Sequence, residues 1–171
     1  YGVLFNYNRN TLITYPAGKP DISYTVPSSV TTISTYAFEW CVDLTSVTLQ
    51  PGLESIGDYA FYSCTGLTSA ILPPDTLLSI GEGAFSWTGL MSIFLPASVN
   101  TIGVAVFVGC SDLAEISVDD NNTAFSDEDG VLFNYNRDTL IAYPGGKPGG
   151  SYTAPSDVTD IATGAFAACQ Q

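Results

Sequence analysis

The sequence predicts a repeat solenoid of the α/β type that is mostly β, built from short parallel strands with inserted β-hairpins. Two observations in the 171-residue chain predict it. Large apolar residues recur about every 23 residues, and residues 2–41 recur at 130–169 with 28 of 40 positions identical. Fixed periods of roughly 20 to 50 residues are typical of architectures in which similar units stack in one dimension. We therefore expect a single solenoid over residues 1–171.

The repeated unit is defined by leucine, isoleucine and phenylalanine positions that advance together along the chain. These positions are Leu44, Leu67, Leu90 and Leu113; Ile33, Ile56, Ile80 and Ile102; and Phe38, Phe61, Phe85 and Phe107. With its other recurring residues, the unit reads V-x-x-I-(G)-x-x-A-F-x-x-C-x-x-L-x-x-V-x-L-P, in which the glycine occurs in some copies only. We call one unit a rung. Rungs are predicted at about residues 21–49, 50–72, 73–95, 96–118 and 151–171.

The L-x-x-V-x-L segment of each rung predicts a short strand. Side chains on a strand point alternately to its two faces, so Leu44, Val47 and Leu49 should face the interior and the polar residues between them should face outward. Proline follows the segment in most copies, which suits a strand that ends where its hydrogen-bond ladder stops. One rung cannot bury its apolar face alone, so we expect rungs to stack at the roughly 4.8 Å spacing of neighbouring strands.

Two stretches, about residues 1–20 and 125–150, interrupt the rung pattern. Each alternates apolar and polar residues around an Asn-Arg pair, which is typical of a β-hairpin. The two inserts hold all four basic residues of the chain, namely Arg9, Lys19, Arg137 and Lys147. Two interpretations stay open: these side chains contact and steer partners, or they pair with acids of neighbouring rungs.

The composite unit resembles the BspA-like subclass of leucine-rich repeats. The resemblance is carried by VPSSVTTISTYAFEWCVDLTSV, by LPASVNTIGVAVFVGCSDLAEI and by the insert NNTAFSDEDGVLFNYNRDTLIAYPGGK, and it covers essentially the whole chain. It implies a leucine-rich-repeat right-handed coil in a secreted or cell-surface protein, bacterial in most cases, that acts in adhesion. The resemblance implies no catalytic residue.

Composition excludes several classes of function. Acids outnumber bases 17 to 4, a formal net charge of −13, so no basic surface can neutralise nucleic acid phosphates. The absence of histidine removes the commonest general base and zinc ligand. No apolar run approaches the roughly 20 residues of a membrane-spanning helix. We expect no cofactor, no nucleic acid partner and no direct membrane insertion. Because the sequence starts at Tyr1 and stops in mid-rung, we expect it to be a piece of a longer protein.

The four cysteines occupy one position of the rung, three residues after its phenylalanine. They are Cys41, Cys64, Cys110 and Cys169. Four cysteines in an extracellular chain usually indicate disulfides, but cysteines aligned inside a coil behave as small apolar side chains. We predict buried thiols, and the alternative is a disulfide between Cys41 and Cys64 on adjacent rungs. No metal site is expected, because ligands from successive rungs lie in a line.

An acidic stretch at residues 119–129 lies just before the hairpin of the second insert and overlaps the start of that insert. It holds five carboxylates in eleven residues, and oxygen-rich loops of this kind are typical of calcium sites. The spacing matches no EF-hand loop. Both a calcium site and a solvated loop stay open for this stretch.

The outward strand positions supply the candidate binding surface. One column is lined by small hydroxyl side chains and by a single acid, and the middle of the array gathers three large apolar residues. The candidate ligand-binding residues are Ile71, Met91, Phe94, Ser69, Ser92 and Glu115. Exposed apolar patches commonly mark contact sites. The alternative is that an insert or a further domain covers the apolar residues.

These observations predict a non-enzymatic binding or adhesion module whose partner is a protein or another cell-surface ligand, such as a host extracellular protein. Two other functions stay open. The chain could be a passive spacer whose length is its function. It could also be a polysaccharide-active enzyme on a β-helix, which would need paired carboxylates on the outward face; Glu115 is the only acid in the two outward columns.

Overall fold

The computed structural model describes residues 2–149 and 151–169 as a coil of short strands joined by turns, and these residues contain no helix. Residue 1 of the first insert, residue 150 of the second and residues 170 and 171 of the last rung lie outside the described residues. In chain order the strands are β1 (Leu4–Phe5), β2 (Thr11–Thr14), β3 (Ser23–Thr25), β4 (Thr32–Ile33), β5 (Ser46–Thr48), β6 (Ser55–Ile56), β7 (Ser69–Ile71), β8 (Ser79–Ile80), β9 (Ser92–Leu95), β10 (Thr101–Ile102), β11 (Glu115–Val118), β12 (Phe125–Glu128), β13 (Val131–Asn134), β14 (Thr139–Ala142) and β15 (Asp160–Ile161). The predicted mostly β solenoid is confirmed.

The L-x-x-V-x-L segments form one side of the coil, which we call the front wall. Strands β3, β5 and β7 pair in parallel, with Ser23, Ser46 and Ser69 in register. Strands β9 and β11 form a second parallel pair, in which Ser92 lies opposite Glu115. The ladder breaks between β7 and β9, where the segment before the strand is one residue shorter than in the preceding rung.

The V-x-x-I segments form a second side, the rear wall. Strands β4, β6, β8 and β10 pair in parallel one after another, so that the isoleucines of successive rungs lie side by side. Each rear-wall strand is only two residues long. Between the rear wall and the next front-wall strand, the A-F-x-x-C segment runs as a series of turns.

The inserts are antiparallel hairpins whose last strand joins the rear wall. Strand β1 pairs with β2, and β2 pairs in parallel with β4. In the second insert β12, β13 and β14 form an antiparallel sheet, and β14 pairs in parallel with β15. The coil therefore continues through each insert.

The core is made of columns of identical side chains that run along the coil. The rung phenylalanines stack face to face, with ring centroids 4.7 Å apart for Phe38 and Phe61, 5.2 Å for Phe61 and Phe85, and 6.1 Å for Phe85 and Phe107. The front-wall residues predicted to face inward are buried, and the residues between them are accessible to solvent, as the alternation predicts. Each rung thus contributes the same contacts to both of its neighbours.

The cysteine column lies beside the phenylalanines. All four cysteines are free thiols, as predicted; Cys41, Cys64 and Cys110 are buried, whereas Cys169 is exposed, because the described residues place no later rung against it. The Cys64 Sγ donates to the Phe38 carbonyl oxygen at 2.9 Å, one rung earlier. Thr88 takes the cysteine position in the third rung and is likewise buried. Burial raises the pKa of the Cys110 thiol, which keeps it protonated.

Candidate functional site

The outward face of the front wall carries the predicted hydroxyl column. Ser69 and Ser92 are exposed on β7 and β9, and Glu115 is exposed on β11. Ser92 and Glu115 are direct cross-strand neighbours. The exposed serine hydroxyls, each able to donate and to accept hydrogen bonds, and the Glu115 carboxylate make this part of the wall polar.

Three large apolar side chains interrupt this polar wall. Ile71 is 58% exposed, Met91 61% and Phe94 50%. Ile71 and Phe94 occupy equivalent positions of the adjacent strands β7 and β9, and Met91 immediately precedes β9. We call these three residues the front patch. Neither insert covers the patch within residues 2–149 and 151–169, so its side chains meet solvent.

An open cleft of about 520 Å³ lies where the second insert meets the end of the front wall. It is lined by Ala114, Glu115, Asp127, Asp129, Gly130, Lys147 and Tyr152. Three carboxylates and one ammonium group give it a net negative charge, and burial raises the pKa of the Tyr152 hydroxyl. We call this site the insert cleft. Of its residues, the sequence predicts only Glu115 as a candidate binding residue.

Gly130 shapes the insert cleft. Its backbone has a φ of 74°, and its carbonyl accepts a hydrogen bond from the Ile116 amide at 2.9 Å. A Cβ at this position would lie 2.9 Å from Cγ of Glu115. Only glycine therefore lets the insert approach β11 this closely without displacing the carboxylate. The signal in the sequence is the Asp-Gly pair in the turn between β12 and β13.

The acidic stretch at residues 119–129 does not gather its carboxylates. The Asp127 carboxylate accepts a hydrogen bond from the Val118 amide at 2.8 Å, and that of Asp119 accepts one from the Asn121 amide at 2.9 Å. Asn122 is buried, and its side-chain amide donates to two backbone carbonyls of an earlier rung. No group of three metal-ligating side chains converges in the described part of the chain. The geometry favours the solvated loop over the calcium site.

Two basic side chains of the inserts form ion pairs with acids that lie close to them in sequence. Lys19 pairs with Asp21 and lowers the pKa of that carboxyl. Arg137 pairs with Glu128. The Arg9 guanidinium lies over an aromatic ring of the same hairpin. Asp21 belongs to the rung that follows the first insert, so the pairing of Lys19 agrees with the second interpretation, whereas Arg137 pairs with an acid of its own insert.

Comparison with known proteins places this geometry in a family. A family model described as the BspA type leucine-rich repeat region matches residues 21–136 with six copies. None of the curated proteins matches the chain. Within residues 2–149 and 151–169, no helix has the length and apolar character needed to cross a membrane.

Solved structures of bacterial repeat proteins share the fold. The pneumococcal vaccine antigen PcpA is 26% identical with a TM-score of 0.78, over 92% of this chain and 46% of its own. A leucine-rich repeat protein from Eubacterium ventriosum is 24% identical with a TM-score of 0.69, over 91% of this chain and 50% of its own. A leucine rich cell surface protein from Faecalibacterium prausnitzii is 25% identical with a TM-score of 0.52, over 80% and 49%. The chain spans about half the length of these structures. By its repeats and its fold, it belongs to the BspA-type leucine-rich repeat proteins.

Proposed function

We propose that this chain is a non-enzymatic protein-binding module of a bacterial cell-surface or secreted protein, and that it acts in adhesion through the front wall. Leucine-rich repeat proteins generally bind proteins. Two of the structural neighbours are described as a vaccine antigen and as a cell surface protein, which supports an extracellular location. The observation that carries the proposal is the exposed front patch on an otherwise polar wall.

The front patch has the composition of an interface centre. Single exposed apolar residues are ordinary, but three large ones on two neighbouring strands place an unusual amount of apolar surface on one part of the wall. Burial of this apolar surface against a partner would contribute a favourable free energy of roughly 25 cal/mol for each Å² removed from water. The flanking hydroxyls of Ser69 and Ser92 and the Glu115 carboxylate can form the polar rim that surrounds such a centre. A protein surface with a complementary apolar centre and a donor-rich rim is the ligand that this arrangement fits.

The test uses a panel of purified mammalian extracellular proteins, immobilised and probed with the chain. A Phe94→Asp and Met91→Asp double variant should lose at least tenfold in affinity for any protein that the parent binds, because two desolvated carboxylates would replace the interface centre. The control is Leu78→Asp, which changes an exposed apolar residue (46% exposed) next to rear-wall strand β8. If the control weakens binding as much as the double variant, the front patch is not the binding site.

The same experiment separates the module from a passive spacer. A spacer would bind nothing on the panel, and charge at the front patch would leave it unaffected. Binding that survives the double variant unchanged would contradict the proposed surface while leaving a binding function at another place on the coil.

The enzyme alternative is tested at the insert cleft. Glu115, Asp127 and Asp129 line that cleft, and glycoside hydrolysis uses a pair of carboxyl groups. We expect no release of reducing ends when the chain is incubated with cell-wall polysaccharides. Release that Glu115→Gln abolishes would overturn the non-enzymatic proposal.

A further inference from the structure

Two turn positions in the first four rungs, and the first of them in the last rung, hold the backbone in the left-handed region that favours glycine. They lie two residues before and two residues after the rung phenylalanine. The preceding position is filled by Tyr36, Tyr59, Gly83, Ala105 and Gly164, and the following position by Trp40, Ser63, Trp87 and Gly109, with φ between 54° and 78°. Later rungs use glycine or alanine, whereas the first three rungs place tyrosine or tryptophan at four of these positions. A bulky side chain is disfavoured at such a φ.

Core packing does not account for these aromatic residues. Tyr36 is 47% exposed, Trp40 55% and Trp87 50%, while the neighbouring Phe38 is fully buried. Strained backbone at a bulky residue is retained where the surrounding structure holds it, and it clusters at functional surfaces. The aromatic side chains are thus displayed toward solvent at the expense of favourable backbone geometry.

Four of the rings are in contact with one another, namely Tyr36, Trp40, Tyr59 and Tyr62, and Trp87 holds the turn position of Trp40 two rungs later. We call these five residues the turn strip. Tyr36 and Tyr59 stack with centroids 5.3 Å apart, Tyr62 meets Tyr59 edge-on at 5.9 Å, and Trp40 meets Tyr62 edge-on at 6.2 Å.

Two glycines of the next rung make room for rings of the turn strip. A Cβ on Gly83 would lie 2.4 Å from the Tyr59 ring, and one on Gly109 would lie 2.5 Å from the Trp87 ring. The rings are therefore held in place by the rung that follows them.

Carboxylates accompany the turn strip on the same turns. The Tyr59 hydroxyl donates a hydrogen bond to the Glu82 carboxylate, and the Glu82 amide donates to the Asp58 carboxylate at 2.8 Å. Glu39 lies between Phe38 and Trp40. No lysine or arginine occurs anywhere between residues 19 and 137, so these acids have no basic partner in their own rungs. The strip combines aromatic faces with negative charge that its own rungs do not neutralise.

We propose that the turn strip is a second binding surface, which takes an extended basic segment of a partner protein. A lysine or arginine side chain placed over a tryptophan or tyrosine ring gains cation–π attraction, and its charge is complementary to the flanking carboxylates. An anionic ligand would be repelled by the strip and by the net charge of −13. A neutral carbohydrate could contact the rings but would leave the carboxylates without a counter-charge. The strip shares no residue with the front patch, so the two proposals stand separately.

The chain offers a direct probe, because its only two tryptophans, Trp40 and Trp87, both lie in the turn strip. An octapeptide of alternating lysine and glycine should change the tryptophan emission and saturate. The same peptide with glutamine in place of lysine should produce no change at equal concentration. If the glutamine peptide or a neutral oligosaccharide such as cellohexaose binds as tightly as the lysine peptide, the proposal is wrong.

Variants separate the turn strip from unspecific attraction to an acidic protein. Trp40→Gly with Trp87→Gly copies the residue at Gly109, keeps the charge and suits the left-handed backbone. Fluorescence anisotropy of the labelled lysine peptide should show at least tenfold weaker binding to this variant.

The matched control is Tyr7→Gly with Tyr135→Gly, two exposed aromatic residues of the inserts. It should bind the lysine peptide like the parent chain, and circular dichroism checks the fold of both variants. Equal affinity of the tryptophan variant and the parent would overturn the proposal. Phe94→Asp alters the front patch and should leave binding of the lysine peptide unchanged. The peptide assay therefore tests the turn strip independently of the function proposed for the front patch.

Discussion

Truncating one ring in the middle of the phenylalanine column tests the stacked core most directly. Phe61 is fully buried and stacks on Phe38 at 4.7 Å and on Phe85 at 5.2 Å. Replacing a buried phenylalanine by alanine costs about 3–5 kcal/mol. Each aromatic pair adds about 0.5–1.5 kcal/mol beyond area burial. Because Phe61→Ala removes two such pairs, we expect the free energy of unfolding to fall by about 5 kcal/mol, the upper end of that range.

The matched variant is Phe107→Ala. Phe107 is 5% exposed, and in the described part of the chain its ring stacks only on Phe85, at 6.1 Å. We therefore expect a loss of about 3 kcal/mol. Urea unfolding followed by far-ultraviolet circular dichroism measures both. A Phe61→Ala loss equal to or smaller than the Phe107→Ala loss would refute the view that each rung is stabilised by both of its neighbours.

Three further predictions concern a close backbone contact, thiol burial and a tyrosine pKa. Gly66→Ala places a Cβ 2.2 Å from the Val42 carbonyl oxygen, so it should lower the free energy of unfolding by about 1–3 kcal/mol. The control is Gly18→Ala, whose added Cβ meets nothing within 4 Å; thermal unfolding should show a change of less than about 1 kcal/mol for it. A thiol reagent should modify one cysteine rapidly in the native chain and all four after unfolding; two rapid thiols would contradict the packed column. The slow thiols are Cys41, Cys64 and Cys110. The hydrogen bond to Glu82 raises the pKa of Tyr59 from 10.0 to about 12. As the pH rises, the Tyr59 hydroxyl therefore ionises in the unfolded chain before it ionises in the folded chain. The stability linked to this hydroxyl is present below pH 10 and is lost as the pH rises from 10 to 12. Ultraviolet titration should show the Tyr59 pKa of Glu82→Gln closer to 10, and an unchanged pKa would contradict the assigned cause.

The core could be predicted from the sequence because every rung repeats the same environment. The inward positions Leu44 and Val47 follow from strand alternation and from the recurrence of apolar residues one period later. The inserts could be predicted only as local hairpins. The parallel pairing of Leu12 with Ile33 joins residues of two different elements, and the hairpin pattern itself carries no information about that contact.

The candidate surfaces also differ in how far the sequence predicts them. The exposure of Ile71 and Phe94 follows from strand alternation alone, whereas the insert cleft needs the second insert to fold back against β11. The turn strip lies at positions that the repeat pattern leaves variable. The sequence does not specify the left-handed backbone at Tyr36 and Trp40. Glycine at the same turn positions of later rungs, Gly83 and Gly109, is the signal in the sequence that indicates this conformation.

The rear-wall strand contributed by each insert has an evolutionary consequence. Because β2 pairs with β4 and β14 pairs with β15 in the same parallel register, the rear-wall junction between insert and coil recurs in both copies of the duplicated block. Unequal recombination between the two copies would add or remove 128 residues while keeping this rear-wall pairing at the join. A gene of this kind can lengthen or shorten the encoded solenoid by 128 residues at a time while reusing the same rear-wall pairing between insert and coil.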